Sequence, residues 1–123
     1  MGTRAIIRVE GVNYCEVYKH YDGYPEGTLP WLKSFNADFT AHRGDDVEYK
    51  MAQLLRSSIR DADKYPLDKS DYTGWGVIPY GSDYGEEYRY TLRKDGSVDV
   101  EEVTYTQLEN GDWKKEYHLK VME

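Results

Sequence analysis

The chain has 123 residues and a formal net charge of −7, with 39% hydrophobic, 32% charged and 15% aromatic residues. This length predicts a single domain over residues 1–123 with its own core. The aromatic share argues against a disordered chain. No apolar run approaches the length of a membrane span or a signal peptide, and the single cysteine, Cys15, excludes an internal disulfide framework. We therefore expect a cytoplasmic protein without a membrane partner.

The charge is unevenly distributed along the sequence. Residues 67–123 carry thirteen acidic side chains against seven basic ones. Binding of duplex nucleic acid depends on neutralising phosphates, so we expect no such partner. A small anionic ligand remains compatible with this charge if a few arginines converge in the fold.

The N-terminal half predicts two strands followed by two helices. Apolar and polar residues alternate over 3–10 and again over 14–21, with a turn between, which is typical of a hairpin. After a Gly- and Pro-rich loop, Thr28 can cap a helix that ends near residues 36–38. A second helix begins at Asp45, carries an apolar stripe, and is stopped at residues 64–66.

The C-terminal half predicts four more strands. They cover about 75–80, 87–93, the segment from Val98 onward and 113–121, with Asp95-Gly96 and Asn110-Gly111 as hairpin turns. The alternation slips before Val103, which indicates a bulge or a change of buried face. The chain order is thus β-β-α-α-β-β-β-β. It predicts an α+β domain with an antiparallel sheet and both helices on one face.

Catalytic and metal-binding patterns are weak. Cys15 and His20 lie five residues apart on one predicted strand, so their side chains point to opposite faces. The three histidines lack the spacing of a ligand pair, and no loop resembles a phosphate-binding P-loop. We expect a protein that is not an enzyme and has no metal or cofactor.

The segment His20-Tyr21-Asp22-Gly23-Tyr24-Pro25 combines an imidazole, two aromatic rings and a carboxylate at a strand exit. One interpretation is structural: a tight turn whose tyrosines pack on the next helix. The other is one wall of a ligand site, because aromatic rings stack on nucleic-acid bases. Arginines one helical turn apart, Arg56 and Arg60, can bind phosphates, or can simply be solvated. The predicted ligand-binding residues are His20, Asp22, Tyr24, Arg56, Arg60, Trp75, Tyr80 and Arg89.

Residues 1–9 and 17–27 together resemble a family of small, uncharacterised prokaryotic and viral proteins. The resemblance lies in the Met1-Gly2-Thr3-Arg4 start and in the His20–Pro25 segment, where the family has His-Trp/Tyr-Asp-Gly-Tyr-Pro. It covers about the first 27 residues well and the remainder loosely. It supplies no catalytic residues. Its viral context implies a protein that sequesters nucleotide immune signals inside the host cell, a phage anti-defence sponge.

Three functional hypotheses follow. The first is non-catalytic binding and sequestration of a small nucleotide-type ligand. The alternative is a protein-binding inhibitor of a host factor that uses aromatic residues and the acidic hairpin residues Asp99, Glu101, Glu102 and Glu109. A third is a phosphodiesterase-like enzyme that uses His20 and Asp22. Under the first hypothesis we expect a homodimer or higher oligomer, because a small domain has little room for a deep pocket.

Overall fold

A computed structural model of the chain describes residues 3–56 and 74–120. These residues form one six-stranded sheet and two helices. The elements, in chain order, are β1 Ala5–Val9, β2 Cys15–Lys19, α1 Pro25–Arg43, α2 Val47–Arg56, β3 Trp75–Pro79, β4 Tyr88–Leu92, β5 Val98–Gln107 and β6 Trp113–Lys120. The α+β class is confirmed, and the elements within the described residues follow one another along the chain as predicted.

The sheet is mixed, so the prediction of a purely antiparallel sheet is wrong. The strands lie side by side in the order β3-β2-β1-β4-β5-β6, which is not their order along the chain. β1 pairs with β4 in parallel, from Ala5 opposite Tyr88 to Val9 opposite Leu92. Hairpin turns report contacts only between strands that follow each other, whereas β1 and β4 are separated by both helices and two other strands. No short sequence pattern therefore predicts that β1 and β4 are paired.

Helix α1 is longer than predicted at both ends. It begins at Pro25 rather than Thr28 and ends at Arg43 rather than near residues 36–38. Proline fits the first helical position, which needs no N–H partner. Asn36 does not end the helix: it is buried, and its Nδ2 donates to the carbonyls of Arg93 (2.9 Å) and Ser97 (2.7 Å). Gly44 follows the last helical residue and caps the helix, and its φ of 64° favours glycine.

Both helices pack on the same face of the sheet. Ala5, Ile7 and Val9 of β1 belong to one core cluster with residues of α1 and α2, among them Leu32 and Leu54. The opposite face of the sheet is called the open face below. On β1 it carries the alternate side chains Ile6 and Arg8, because successive residues of a strand point to opposite faces. The predicted stop of α2 at residues 64–66 lies outside the described residues.

The slip in the hydrophobic pattern of β5 is a change of buried face and not a bulge. The pairing of β5 with β4 and with β6 is continuous. Val100 faces the helix-side core, whereas Val103 and Tyr105 lie on the open face. There the Tyr105 hydroxyl donates to the carbonyl oxygen of Glu86 at 2.7 Å. The pattern changes because the cover over the sheet changes from helices to a loop.

Lys50 is a buried lysine on α2 with no exposed surface. Its Nζ donates to the carbonyl of Arg93 at 3.3 Å and lies 5.6 Å from the centre of the Phe39 ring. No carboxylate among the described residues makes an ion pair with it. Burial lowers the pKa of Lys50, and the attraction of Glu10, Asp45 and Asp95 only partly opposes this. The ammonium therefore destabilises the folded state at neutral pH.

Lys50→Met is expected to stabilise the protein at pH 7 by at least about 1 kcal/mol, the lower end of the cost of an imperfectly paired buried group. The Arg93 carbonyl keeps its hydrogen bond from Asn36. Since the folded pKa lies below the unfolded value of about 10.4, the wild type gains stability as the pH rises between the two. The advantage of the variant therefore shrinks in alkali. Urea unfolding at pH 7 and pH 10 measures this, with exposed Lys33→Met as the control. A less stable Lys50→Met at pH 7 contradicts it.

Candidate functional site

The open face of the sheet carries three arginines around a concavity of about 440 Å³, called the open-face pocket below. Arg8 comes from β1, Arg89 from β4, and Arg93 directly follows β4. The parallel pairing of β1 and β4 brings these arginines together on neighbouring strands. The charged and aromatic side chains that line the pocket are Arg8, Glu10, Tyr80, Arg89, Arg93, Asp99 and Glu101.

Arg8 is fixed between a carboxylate and an aromatic ring. Its Nε donates to Glu16, whose side chain is 1% exposed and accepts a second hydrogen bond from the N–H of Gly81 at 3.2 Å. The Arg8 guanidinium lies 4.3 Å from the centre of the Tyr80 ring. This distance allows a cation–π contact. Tyr80 itself is 44% exposed, so part of its ring faces solvent.

Arg89 is held still more firmly. Its Nε and Nη2 both donate to the Glu101 carboxylate, at 2.8 and 2.9 Å, and its guanidinium lies 3.5 Å from the centre of the Tyr117 ring. Burial lowers the pKa of Arg89, but the hydrogen bonds and attraction to Glu101 outweigh that effect and leave the pKa above its usual value. The side chain is therefore a permanently charged, oriented group in the floor of the pocket.

Arg93 is the most exposed of the three arginines, with 43% of its side chain accessible. Its Nε donates to Asp99 at 2.6 Å, and its Nη1 lies 3.5 Å from a carboxylate oxygen of Glu10. The hydrogen bond to Asp99 raises the pKa of Arg93. Together the three arginines face the four carboxylates Glu10, Glu16, Asp99 and Glu101. The site thus presents ordered donors and acceptors with a formal charge of −1.

Only two of the predicted ligand-binding residues, Tyr80 and Arg89, line this pocket. Trp75 lies on the helix side, where its ring is 5.7 Å from Trp31 and packs against the core. Arg56 is exposed on α2 and donates to Gln53. Arg60 lies outside the described residues. The predicted eight-residue site is therefore not one constellation within the described part of the chain.

The remaining three, His20, Asp22 and Tyr24, lie at the exit of β2, where they join β2 to α1. The His20 Nδ1 is 2.7 Å from the Tyr18 hydroxyl, and its ring meets the edge of Tyr21 at 4.6 Å. Asp22 has a φ of 56°, and its carbonyl accepts the Thr28 hydroxyl at 2.5 Å. Tyr24 precedes the first residue of α1. These contacts favour the structural interpretation of the segment.

Sequence reasoning missed Arg8 and Arg93. The alternation of residues 3–10 already placed Arg8 on the polar side of its strand, and the same pattern in 87–93 placed Arg89 and Arg93 on one face. What joins the two sets is the parallel contact of β1 with β4, which only the fold supplies.

In residues 3–56 and 74–120, no group of three or more His, Cys, Asp or Glu side chains is arranged to hold a metal ion. Neither described helix combines the length and apolar composition that crossing a membrane requires. Comparisons of the chain with protein-family models, with curated proteins and with solved structures gave no match.

Proposed function

We propose that the protein binds a small nucleotide-type ligand in the open-face pocket and sequesters it without chemical change. The observation that carries the proposal is the meeting of three arginines and a partly exposed tyrosine ring in one concavity of about 440 Å³. Pockets for small molecules are about 300–1,000 Å³ and combine ring surfaces with a few oriented polar groups. A nucleotide needs both kinds of contact.

The side chains divide the recognition between them. The exposed part of Tyr80 offers a surface on which a base stacks, at about 1–3 kcal/mol per base. Arg8 gives one N–H to Glu16 and Arg89 gives two to Glu101. A guanidinium has five N–H groups, so these two side chains and the more exposed Arg93 keep donors for a phosphate. Glu10 and Asp99 accept hydrogen bonds from ribose hydroxyl or base amino groups.

The charge of the site limits which nucleotide fits. Four carboxylates face three arginines, so the local charge is −1 before a ligand binds. Each additional phosphate on the ligand adds repulsion from Glu10 and Asp99 that the arginines do not offset. We therefore propose a ligand with one phosphate group per nucleoside, such as a cyclic nucleotide or a nucleoside monophosphate, and weak binding of triphosphates.

The hydrogen bonds that orient the arginines of the pocket favour tight binding with slow release, as sequestration requires. Glu16, Asp99 and Glu101 all accept hydrogen bonds from arginine N–H groups, so the guanidiniums are oriented before a ligand arrives. Such preorganisation lowers the entropic cost of binding and slows release. With the resemblance to prokaryotic and viral proteins, it leads us to propose a phage anti-defence role in the host cytoplasm.

The alternative, a protein-binding inhibitor with an acidic surface, has less support. Asp99 pairs with Arg93, Glu101 with Arg89, and Glu102 with Lys120 at 3.6 Å. Three of the four acidic residues on which that hypothesis rests are therefore partly neutralised within the chain. A basic partner protein would therefore contact carboxylates that are already ion-paired within the chain.

The decisive variant is Arg93→Gln, with Arg43→Gln as its matched control. Arg43 is also exposed and ion-paired, at 3.0 Å to Asp46, but it lies on α1 away from the pocket. We expect Arg93→Gln to weaken nucleotide binding at least about tenfold, because a hydrogen bond to a charged group contributes about 1.5–3 kcal/mol. Arg43→Gln and Arg56→Glu are expected to bind like the wild type.

The measurement begins with native mass spectrometry of protein purified from cells with active nucleotide signalling. An added mass of a few hundred daltons, released intact on denaturation, identifies the ligand for titration calorimetry. A clean apo mass from cells shown to make the signal, together with no binding in a panel of mononucleotides and cyclic nucleotides, rejects the proposal. Equal losses in Arg93→Gln and Arg43→Gln reject the open-face pocket as the site.

A further inference from the structure

Strand β6 forms one edge of the sheet. It is last in the strand order and pairs with β5 along its whole length, from Trp113 opposite Gln107 to Lys120 opposite Val100. No strand of residues 3–56 or 74–120 pairs with its other side. An edge strand of eight residues presents a row of unpaired backbone groups, which is a template for a further strand.

The register shows which backbone groups point outward. Leu108 donates to the carbonyl of Asp112 at 2.7 Å at the start of the β5–β6 ladder. Alternate residues of an antiparallel pair form hydrogen-bonded pairs, so the even-numbered residues of β6 bond to β5. The N–H and C=O groups of Trp113, Lys115, Tyr117 and Leu119 therefore point away from the sheet.

The same edge carries two exposed apolar side chains. Trp113 is 65% exposed and Leu119 is 66% exposed, the two highest values among the large hydrophobic residues of the described chain. They lie six residues apart, so both side chains stand on the open face, one at each end of the strand. A partner strand that runs antiparallel can cover both at once.

We propose that β6 pairs with β6 of a second copy, antiparallel, about a two-fold axis at Glu116. This register sets Trp113 opposite Leu119 of the partner subunit, and the symmetry repeats the contact at the other end of the strand. Each exposed apolar side chain is thus covered by the other type. Beyond the strand, Asp112 comes opposite Lys120 of the partner subunit, which adds an attractive charge pair.

The neighbouring registers are less favourable. An axis at Lys115 sets that lysine opposite its own copy and leaves Leu119 opposite Gly111 of the partner subunit. An axis at Tyr117 sets Lys114 opposite Lys120 of the partner subunit and Leu119 opposite a lysine. The Glu116 register has one like-charged pair, Glu116 with itself, and its diagonal neighbours are Lys114 and His118 of the partner subunit. Those basic groups offset the repulsion.

The pairing also bears on the open-face pocket. Leu119 lines that pocket, so the proposed register brings Trp113 of the partner subunit to its rim. This consequence rests on the proposed function, because it supplies a second aromatic ring to the ligand site. The pairing itself depends only on the β6 edge and is tested without ligand.

Cysteine cross-linking tests the register. In a Cys15→Ser background, Glu116→Cys is expected to form a disulfide-linked dimer under mild oxidation. Directly opposed residues in a non-hydrogen-bonded pair have Cα atoms about 4.5 Å apart, within the range of about 4.4–6.8 Å for disulfides. Lys114→Cys and His118→Cys are the matched controls. Neither should link to itself, but a mixture of the two should link. Absence of the Glu116→Cys dimer, or equal linking of all three variants alone, overturns the register.

Trp113→Ser tests the apolar contact, with Tyr14→Ser as the control, since Tyr14 is 61% exposed but lies directly before β2, away from β6 in the strand order. We expect light scattering after size exclusion to show a dimer for the wild type and for Tyr14→Ser. Trp113→Ser is expected to raise the dimer dissociation constant at least about tenfold, which corresponds to about 1.4 kcal/mol. Circular dichroism confirms that the variant is folded. A wild type that is monomeric at several hundred micromolar overturns the dimer proposal. That result would not bear on nucleotide binding, which the monomer can still carry out in its own open-face pocket.

Discussion

Replacing Lys115 with methionine is expected to destabilise the protein by about 3–5 kcal/mol, the cost of removing one partner from a buried ion pair. The Glu86 side chain has no exposed surface, and its carboxylate accepts the Lys115 ammonium at 2.6 Å. It also accepts the Tyr117 hydroxyl at 2.8 Å and the N–H of Tyr84 at 3.2 Å. Without the ammonium, two neutral donors are left to stabilise a buried negative charge.

The control for this variant is Lys114→Met. Lys114 is the neighbouring residue of β6, with 58% of its side chain exposed and an ion pair of 3.8 Å to Glu116. Such exposed pairs contribute about 0–1 kcal/mol, so little change is expected. Adding Glu86→Gln to Lys115→Met removes the unpaired charge, while the amide oxygen of the new side chain can still accept hydrogen bonds. We expect most of the lost stability to return. Guanidinium unfolding measures all three variants.

The pH dependence gives this prediction a second, independent outcome. Burial raises the pKa of Glu86, but the hydrogen bonds from Lys115, Tyr117 and the backbone outweigh it, so the pKa lies below its usual value. The wild type therefore loses the stabilisation from this carboxylate as the pH falls through that lowered pKa. In Lys115→Met burial dominates and the pKa rises, so the difference from the wild type should shrink in acid. A difference that grows in acid contradicts this account.

Local sequence signals predicted the strands and turns well. Asp95-Gly96 and Asn110-Gly111 do join antiparallel strands, and Gly96 and Gly111 have φ values of 96° and 90°. These turns need residues that tolerate a positive φ, so the dipeptides Asp-Gly and Asn-Gly are enough to predict them. The alternation in β1, β2 and β4 was equally informative, because one side of each strand faces the helix-covered core.

Contacts between distant segments could not be predicted in this way. Arg8 and Arg89 meet because β1 and β4 are adjacent, although about eighty residues separate them in the chain. Glu86 lies between the predicted strands 75–80 and 87–93, where a charged residue is expected to be exposed to solvent. In the fold its side chain is buried against Lys115 and Tyr117 of β6. For the arginines and for Glu86 alike, charge alone predicts a solvent-exposed side chain. The partners that make their burial acceptable, such as Glu101 for Arg89, become evident only in the folded sheet.

The His20–Pro25 segment shows how a recognisable motif can be explained by folding instead of by ligand binding. Gly23 lies between β1 and the start of α1. Its N–H donates to the Thr3 carbonyl at 2.8 Å, and its own carbonyl accepts the hydroxyl of the buried Tyr90 at 2.5 Å. A Cβ at Gly23 would lie 2.6 Å from the Ala5 Cβ and 2.7 Å from the Thr3 carbonyl oxygen. Only glycine lets the two segments approach this closely.

Gly23→Ala is therefore expected to destabilise the protein by about 3 kcal/mol, the upper end of the usual cost of overpacking. The clash involves a backbone oxygen and the core side of β1, so neither neighbour can move without shifting the strand. Gly76→Ala on β3 is the matched control, because a Cβ there meets nothing within 4 Å. Thermal unfolding of the two variants measures the difference directly.

The double variant Ala5→Gly/Gly23→Ala separates the clash from a general weakness of glycine replacement. It removes the Ala5 Cβ and leaves the Thr3 carbonyl, so partial recovery of stability over Gly23→Ala is expected. If Gly23→Ala instead keeps wild-type stability but loses nucleotide binding, the segment is a ligand wall, as one of the two interpretations of the sequence had it. If stability falls while nucleotide affinity of the folded fraction is kept, the motif exists to pack the β2–α1 connection against β1, and recognition rests with the arginines of the open-face pocket.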